Sequence, residues 1–201
     1  MGVPTARISL VLAFGLALFP SCAMAAWQDQ ISSADRDRLA HLPQIRAAAL
    51  ADAQHGAGRG DARVLARVMQ PEGHAISAND LIGHWRCRQI KLGRMASYMV
   101  YDGWFACTIR AKGNGLELEK TNGSQLFSGQ LFADNGGWIY LGASRVRGEP
   151  RHSYSGASPG LGAQVTPDDQ VGLLTGIGDN HLRLEIPSVQ ESLLDVVEFA
   201  R

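Results

Sequence analysis

The sequence has little charge and no excess of either sign. It contains 19 lysine and arginine residues against 19 aspartate and glutamate residues, and charged residues make up 19% of its 201 positions. A neutral chain lacks the basic surface that binds nucleic acid or anionic lipid, so we expect no nucleic-acid partner. The charged fraction is also too low for a solvated disordered tail. The length is sufficient for one sizeable hydrophobic core, or at most two small ones.

The chain also lacks an apolar run long enough to span a membrane. The run at residues 8–19 has 12 members, whereas a transmembrane helix needs roughly 20. Arg7 precedes it, and Ala23 and Ala25 provide the small residues of a cleavage site. This pattern is typical of a secretory signal peptide. We therefore predict a signal peptide over residues 1–25, cleavage after Ala25, export to the periplasm and no transmembrane segment in the mature chain.

Cysteine is scarce, with three in the whole chain. Cys22 falls in the predicted signal peptide. A lipid-modified N-terminus at Cys22 is the rival interpretation, but Phe19 and Pro20 fit poorly just before such a cysteine. Cys87 and Cys107 remain in the mature chain on predicted strands, and an oxidising compartment favours a disulfide between them. A reactive or metal-binding thiol pair is less favoured, because the C-x-x-C spacing is missing.

Signals for short helices occupy residues 26–80. Ser32 and Ser33 can cap a first helix, Pro43 begins a second at a permissive position, and Asp61 caps a short third one. The alanine-rich stretch of the second helix buries little surface per residue. We therefore expect this region to pack on a larger unit rather than to form a core of its own.

After residue 80 the pattern changes to strands separated by turns rich in glycine, asparagine and aspartate. No helical pattern intervenes, so we predict an α+β, mostly β fold with an eight-stranded antiparallel meander over residues 81–201. Closure into a barrel removes exposed edges, and eight strands leave room for packed side chains or one small ligand. The predicted strands are 84–92, 98–111, 116–121, 124–133, 138–146, 170–177, 181–186 and 192–200.

The segment Leu81-Ile82-Gly83-His84-Trp85 begins the first predicted strand. It resembles the Leu-x-Gly-x-Trp pattern that opens the first strand of lipocalin-like barrels, including lipocalin-like inhibitors of secreted proteases. The resemblance implies that Gly83 allows a bend and that Trp85 plugs the base of the barrel. It is architectural and covers this motif and the number of strands. A tryptophan at the start of a strand also serves simply as a core residue.

Four further segments are spread over most of the mature chain. They are Gly83-x-Trp85-x-Cys87-Arg88 with Lys91-Leu92-Gly93, Leu118-Glu119-Lys120-Thr121-x-Gly123-Ser124-Gln125, Tyr140-Leu141-Gly142-Ala143, and Leu184-Glu185-x-Pro187 with Glu191-Ser192. Together they resemble an exported bacterial family catalogued as domain of unknown function 4893. The resemblance implies family membership and a location in the cell envelope. It implies no activity, substrate or catalytic residue.

Spacings that signal catalysis or metal binding are missing. No two histidines lie at the i, i+4 or i, i+2 spacing that would build a metal site, and there is no Gly-x-Ser-x-Gly motif. We predict no metal, no cofactor and no catalytic residue. The six histidines are His41, His55, His74, His84, His152 and His181.

The segment 147–168 has no convincing periodicity and contains four glycines and three prolines. A loop of this length is uncommon in a compact domain, and it is often a lid, a binding loop or a disordered insertion. As a lid over the barrel mouth it would let His152 and Tyr154 stack on a ligand or hydrogen-bond to it. Arg147 or Arg151 would attract an anionic group.

Binding is therefore preferred over catalysis. The expected function is that of a non-enzymatic exported protein that binds a small ligand, or a segment of an envelope protein, through its barrel or the 147–168 loop. The first alternative is a structural or interaction module with a filled barrel whose helical region docks on a partner. The second is a secreted hydrolase with a dispersed site, such as His152 or His181 with Asp179.

Overall fold

The structure is a computed structural model that describes residues 27–56, 58–100, 103–113, 115–156, 166–187 and 190–201. The predicted signal peptide and its cleavage site lie outside the described residues. Within them the chain forms short helices followed by antiparallel strands, so the predicted α+β, mostly β fold is confirmed.

Short helices precede the sheet. Ser32 caps α1 by accepting a hydrogen bond from the backbone N–H of Asp35 at 3.1 Å, and Pro43 lies in the first turn of α2, as predicted. Asp61 is not the cap of α3: that helix begins two residues earlier, after Gly58, and Asp61 lies in its first turn, where a carboxylate is favoured by the helix dipole. The helices are a 3-10 turn at Trp27–Asp29, α1 at Ser33–Ala40, α2 at Leu42–Gln54, α3 at Arg59–Met69 and α4 at Ala78–Leu81.

The strands form one antiparallel sheet that closes on itself. Eight of them make the barrel, because each pairs with the next and the last pairs with the first. The predicted eight-stranded barrel is therefore confirmed. The strands of the described residues are β1 at Gly83–Leu92, β2 at Tyr98–Val100, β3 at Phe105–Lys112, β4 at Gly115–Lys120, β5 at Gln125–Asp134, β6 at Gly137–Val146, β7 at Asp169–Gly178, β8 at His181–Pro187 and β9 at Leu194–Ala200.

The prediction of one continuous strand at 98–111 was wrong, because this segment contains two separate strands, β2 and β3. The short β2 pairs with the end of β1, whereas β3 pairs with its beginning. Between them, the ring of Trp104 lies under the guanidinium groups of Arg86 and Arg88, 4.9 Å from each. This packing interrupts the pairing along β1, so β2 is an appendage to the barrel and β3 is the second barrel strand.

Side-chain alternation fills one half of the barrel with apolar groups. Cys87 and Cys107 form the predicted disulfide within this core, with Cα atoms 5.9 Å apart, and it joins β1 to β3. The core is continuous across the barrel, so this half holds no open calyx among the described residues. Its members include Trp85, Ile109, Leu116, Leu118, Phe127, Leu131, Trp138, Tyr140, Leu174, Leu182, Leu184, Val197 and Phe199.

Trp85 lies at the base of the barrel. Its indole N–H donates to the carbonyl of Leu81 at 2.8 Å, and the guanidinium of Arg201 stacks 3.9 Å from its ring centroid. Gly83 has φ of +140°, and a Cβ there would lie 2.8 Å from that guanidinium. Glycine is therefore favoured at this position by the backbone conformation. Trp138 makes a similar hydrogen bond, since its indole N–H donates to the carbonyl of Ile76 at 2.8 Å.

The helices lie on the outer wall of the barrel. Two apolar clusters hold them there, one beneath α2 and α3 on β1 and β9, the other beneath α1 on β6 and β7. The first cluster includes Leu42, Ala49, Ala53, Val68, Ile90, Leu92, Leu194 and Val196, and the second includes Ile31, Ile139, Leu141 and Val171.

A buried charge cluster ties α2 and α3 to β8. Arg183 is 1% exposed, and it donates to the carbonyls of Val68 and Pro71, each at 3.0 Å, at the C-terminal end of α3. It also pairs with the fully buried Glu185 at 3.0 Å, and Arg46 of α2 donates to the same carboxylate at 2.6 Å. A buried ion pair of this kind is costly to break, because the remaining charge stays desolvated.

We expect Arg183→Met to lower the free energy of unfolding by about 3–5 kcal/mol. The substitution removes one ion-pair partner of the buried Glu185 and the hydrogen bonds to the carbonyls at the end of α3. The measurement is urea unfolding followed by circular dichroism. Arg63→Met, on the exposed face of α3, is the matched control and should stay within about 0.5 kcal/mol of wild type. Equal midpoints for the two variants would contradict the assigned role of Arg183.

Candidate functional site

The inward-facing side chains become polar at the end of the barrel opposite Trp85. We call this end the mouth. It holds a cavity of about 270 Å³, with Phe127 and Ile186 among its apolar lining and loop residues such as Glu149 and Gln190 around it. The inward-facing polar residues that line it are Gln89 and Lys91 of β1, Gln125 of β5, Ser144 of β6, Gln170 of β7 and Asp195 of β9.

The charges at the mouth are partly compensated by one another. Lys91 and Asp195 are directly paired across β1 and β9, and the Lys91 ammonium donates to Glu191 at 2.5 Å. This hydrogen bond holds the pKa of Glu191 below its ordinary value. Burial raises the pKa of Asp195, although Ser192 donates to its carboxylate at 2.5 Å and opposes the shift. The mouth therefore combines one satisfied ion pair with a carboxylate whose charge is destabilised by burial.

Two polar atoms at the mouth are buried without a hydrogen-bond partner among the described residues. They are the amide oxygen of Gln170 and the Nε of Arg145. An unpaired buried polar group costs roughly 1–3 kcal/mol, so natural proteins keep few of them. One is an acceptor and the other a donor. Arg145 follows the inward-facing Ser144 on β6 and therefore lies on the outward face, so a molecule inside the mouth would satisfy Gln170 and not both.

A second cavity, of about 250 Å³, lies on the outer wall of β4 and β5. The carboxylate of Glu117 is 2% exposed there, and Arg110, Lys112 and Arg151 each approach it to 2.5 Å. Burial raises the pKa of Glu117, but the hydrogen bonds from Lys112 and Arg110 outweigh it and hold the pKa below its ordinary value. This outer cavity is therefore lined by an ion cluster that already satisfies its own buried charge.

The predicted binding residues of the 147–168 loop are not at the mouth. Arg151, His152 and Tyr154 line the outer cavity, and Arg147 donates to the carbonyl of Gly123 at 2.9 Å. A role for these four residues in ligand binding stays a prediction, and for the first three it would concern the outer cavity. Residues 157–165 of the loop lie outside the described residues.

Tyr154 has a structural role in the described contacts. Its hydroxyl donates to the carboxylate of Asp35 at 2.5 Å and accepts a hydrogen bond from the backbone N–H of Ser32 at 3.0 Å. It thereby attaches the loop to the N-terminal end of α1. This contact joins two segments that are 119 residues apart, and no local sequence pattern predicts it.

The sequence interpretation missed the polar ring at the mouth. The signal was present in β1, where Gln89 and Lys91 alternate with buried Ile90 and Leu92. Both polar residues are an even number of positions from Trp85 and therefore lie on the same face of the strand. Polar residues on the inward face of a barrel strand mark where the core ends. The register that places Asp195 opposite Lys91 requires the closed sheet.

Of the two histidines named for a dispersed hydrolase site, His152 lines the outer cavity, and His181 lies in an ion cluster on the outer wall. His181 Nε2 is 2.9 Å from a carboxylate oxygen of Glu198, which also pairs with Arg88 at 2.5 Å and with Arg67 at 3.4 Å. In the part of the chain that the structure describes, no group of three or more histidine, cysteine or acidic residues could hold a metal ion.

Comparison with known proteins identifies one family. The family described as "Domain of unknown function (DUF4893)" matches residues 27–199. No curated protein and no solved structure matches the chain. Among the described residues, no helix has the length and apolar character needed to cross a membrane.

Because burial raises the pKa of Asp195, the folded protein binds its proton more tightly than the unfolded chain does. The charged carboxylate therefore costs stability at neutral pH, and this cost disappears as the pH falls below the unfolded pKa of about 3.9. We expect Asp195→Asn to be more stable than wild type at pH 7, with a difference that shrinks steadily towards pH 4. Thermal unfolding at each pH measures it.

Asp179→Asn, in an exposed turn, is the control for this pH series. Its difference from wild type should be small and nearly independent of pH. An advantage of Asp195→Asn that grew as the pH fell would contradict the assignment.

Proposed function

The chain belongs to the DUF4893 family, and from the geometry of its barrel we propose that it is a non-enzymatic exported protein that binds a small polar ligand at the mouth. The observation that carries the proposal is the buried, unpartnered amide oxygen of Gln170, which lies on the inward face beside a lined cavity. The 147–168 loop contributes Glu149 and Asp168 to the lining of this cavity.

The size of the cavity supports a small ligand. About 270 Å³ is available at the mouth, which is just below the range of roughly 300–1,000 Å³ that is usual for drug-sized molecules. The interior beneath it is occupied by the apolar core. A large apolar ligand of the kind that fills a deep barrel therefore has no room, whereas a compact molecule with several hydrogen-bonding groups fits both the volume and the lining.

Two observations support export to the periplasm. The Cys87–Cys107 disulfide is typical of proteins in oxidising compartments. The family match begins at residue 27, just after the predicted cleavage site at Ala25. We therefore propose that a signal peptide over residues 1–25 is removed and that the binding domain acts in the cell envelope.

The described surface gives less support to a protein-docking module. Large exposed apolar side chains in the described residues are Ile82, Met95, Trp104 and Val146, and they lie on four different segments. Isolated exposed apolar residues are normal for a soluble surface, whereas docking sites present contiguous patches. The filled base of the barrel agrees with such a module, but the unpaired amide oxygen of Gln170 at the mouth favours a small ligand.

Thermal unfolding in the presence of defined compounds tests the proposal. The panel contains free amino acids, polyamines, dicarboxylic acids, monosaccharides and nucleosides. A ligand present at about 100 times its Kd adds about 2.7 kcal/mol to the stability of the folded state, which in a domain of this size raises Tm by roughly 5–10 °C. We expect at least one class to produce such a shift.

The site is tested by filling the mouth. Ser144→Leu places a leucine in the cavity and should abolish the shift, whereas Ser153→Leu, on the outer cavity, should leave it unchanged. The proposal fails if no class raises Tm, or if Ser153→Leu abolishes the shift and Ser144→Leu does not.

A further inference from the structure

A buried tyrosine lies directly beneath the mouth. Tyr140 is fully buried, and its hydroxyl has no hydrogen-bond partner among the described residues. Its ring covers Gly129 and Gly142: a Cβ at Gly129 would lie 2.6 Å from the ring, and a Cβ at Gly142 would overlap the hydroxyl. The side chain therefore runs along the inner wall from its own position towards Ser144, which lines the cavity.

The Tyr140 hydroxyl and the Gln170 side chain lie at the same level of the barrel. Gly142, which the hydroxyl covers, is directly paired with Gln170 across β6 and β7. The amide oxygen of Gln170 is an unpaired acceptor. Burial raises the pKa of Tyr140, so the phenol keeps its proton and is a donor. A donor and an acceptor thus lie unpaired at one level, at the boundary between the core and the cavity.

Few chemical groups satisfy such a pair. An ammonium group can donate to Gln170 but cannot accept from a phenol, and a carboxylate can accept but cannot donate. A hydroxyl group does both. Among the ligand classes that fit a small polar cavity, alcohols therefore match this boundary best.

The rest of the mouth agrees with a molecule that carries several hydroxyl groups. Gln89, Gln125 and Asp195 provide further donors and acceptors, and Lys91 is compensated by Glu191. Both carboxylates and cations line the cavity, so its charge does not select an acid or an amine by one sign alone. Phe127 and Ile186 add apolar surface against which C–H groups can pack.

We propose that the ligand is a polyhydroxylated molecule, a monosaccharide or polyol. The hydroxyl group that enters deepest into the mouth accepts a hydrogen bond from Tyr140 and donates one to Gln170. This inference rests on the proposed function and names its ligand class. Phe127 lines the cavity and meets the Tyr140 ring edge-to-face, with centroids 6.3 Å apart. It is the side chain that shifts to admit the hydroxyl.

The first test compares two tyrosine variants without ligand. Tyr140→Phe removes a hydroxyl that has no partner, so Tm should stay the same or rise. Tyr98→Phe removes a hydroxyl that donates to the carbonyl of Asp61 at 2.7 Å, so Tm should fall by roughly 2–4 °C. A fall of Tm in Tyr140→Phe as large as in Tyr98→Phe would show that the hydroxyl is already paired, and would overturn the proposal.

The second test measures affinity by isothermal titration calorimetry with D-glucose, D-ribose and myo-inositol. L-lysine, L-glutamate and spermidine serve as comparison compounds. At least one of the three hydroxylated probes should bind wild type. Tyr140→Phe and Gln170→Leu should each weaken that binding about tenfold or more, as expected for loss of a buried hydrogen bond. Tyr98→Phe and Gln54→Leu, on the exposed end of α2, should leave it unchanged.

The outcomes separate this inference from the proposed function. Binding of an amine or acid without any hydroxylated probe would overturn the ligand class and leave the mouth as a binding site. Binding of a hydroxylated probe with equal affinity to wild type and Tyr140→Phe would overturn the role of Tyr140. Absence of binding by every compound would overturn both proposals.

Discussion

β1 pairs with two other barrel strands, and the fold and the site both follow from this double pairing. It pairs with β3 over residues 83–87 and with β9 over residues 86–92, and this closes the sheet. Closure removes the sheet edges of the barrel and divides every strand into an inward and an outward face. Trp85 and Cys87 then belong to the core, whereas Gln89 and Lys91, on the same face of the same strand, belong to the mouth. A single alternation therefore produces both the apolar base and the polar cavity.

The buried charges on the outer wall have a structural role, whereas the polar groups at the mouth form the candidate binding site. Arg183 with Glu185, and Glu198 with Arg88, place buried charges between the helices and the barrel. These clusters pair their charges with protein groups and so hold the helices in place. At the mouth, the inward-facing amide oxygen of Gln170 is unpaired and lies beside a cavity. Nη2 of Arg88 also lacks a hydrogen-bond partner, but Arg88 lines neither of the two cavities described. An unpaired buried atom next to open space, rather than the amount of charge, therefore distinguishes the candidate site.

Much of the fold could be predicted from local patterns, and much of the site could not. Turn residues and alternation located the barrel strands, and the cap at Ser32 and the Cys87–Cys107 disulfide followed from local chemistry. The break in the strand predicted at 98–111 depends on the packing of Trp104 against two arginines of another strand. The long loop drew attention to Tyr154, whose hydroxyl in fact attaches it to α1. The pairing of Lys91 with Asp195 exists only in the closed register, which periodicity does not specify.

A titration followed by ¹H–¹⁵N NMR would show whether the mouth is the binding site. The hydroxylated compound with the highest affinity is added to uniformly labelled protein, and amide shifts are mapped on the structure. If the ligand binds at the mouth, the shifts concentrate at Ser144, Gln170 and Asp195, which line it. Shifts concentrated at Arg151 and His152, on the outer cavity, or no shifts at saturating concentration, would contradict binding at the mouth.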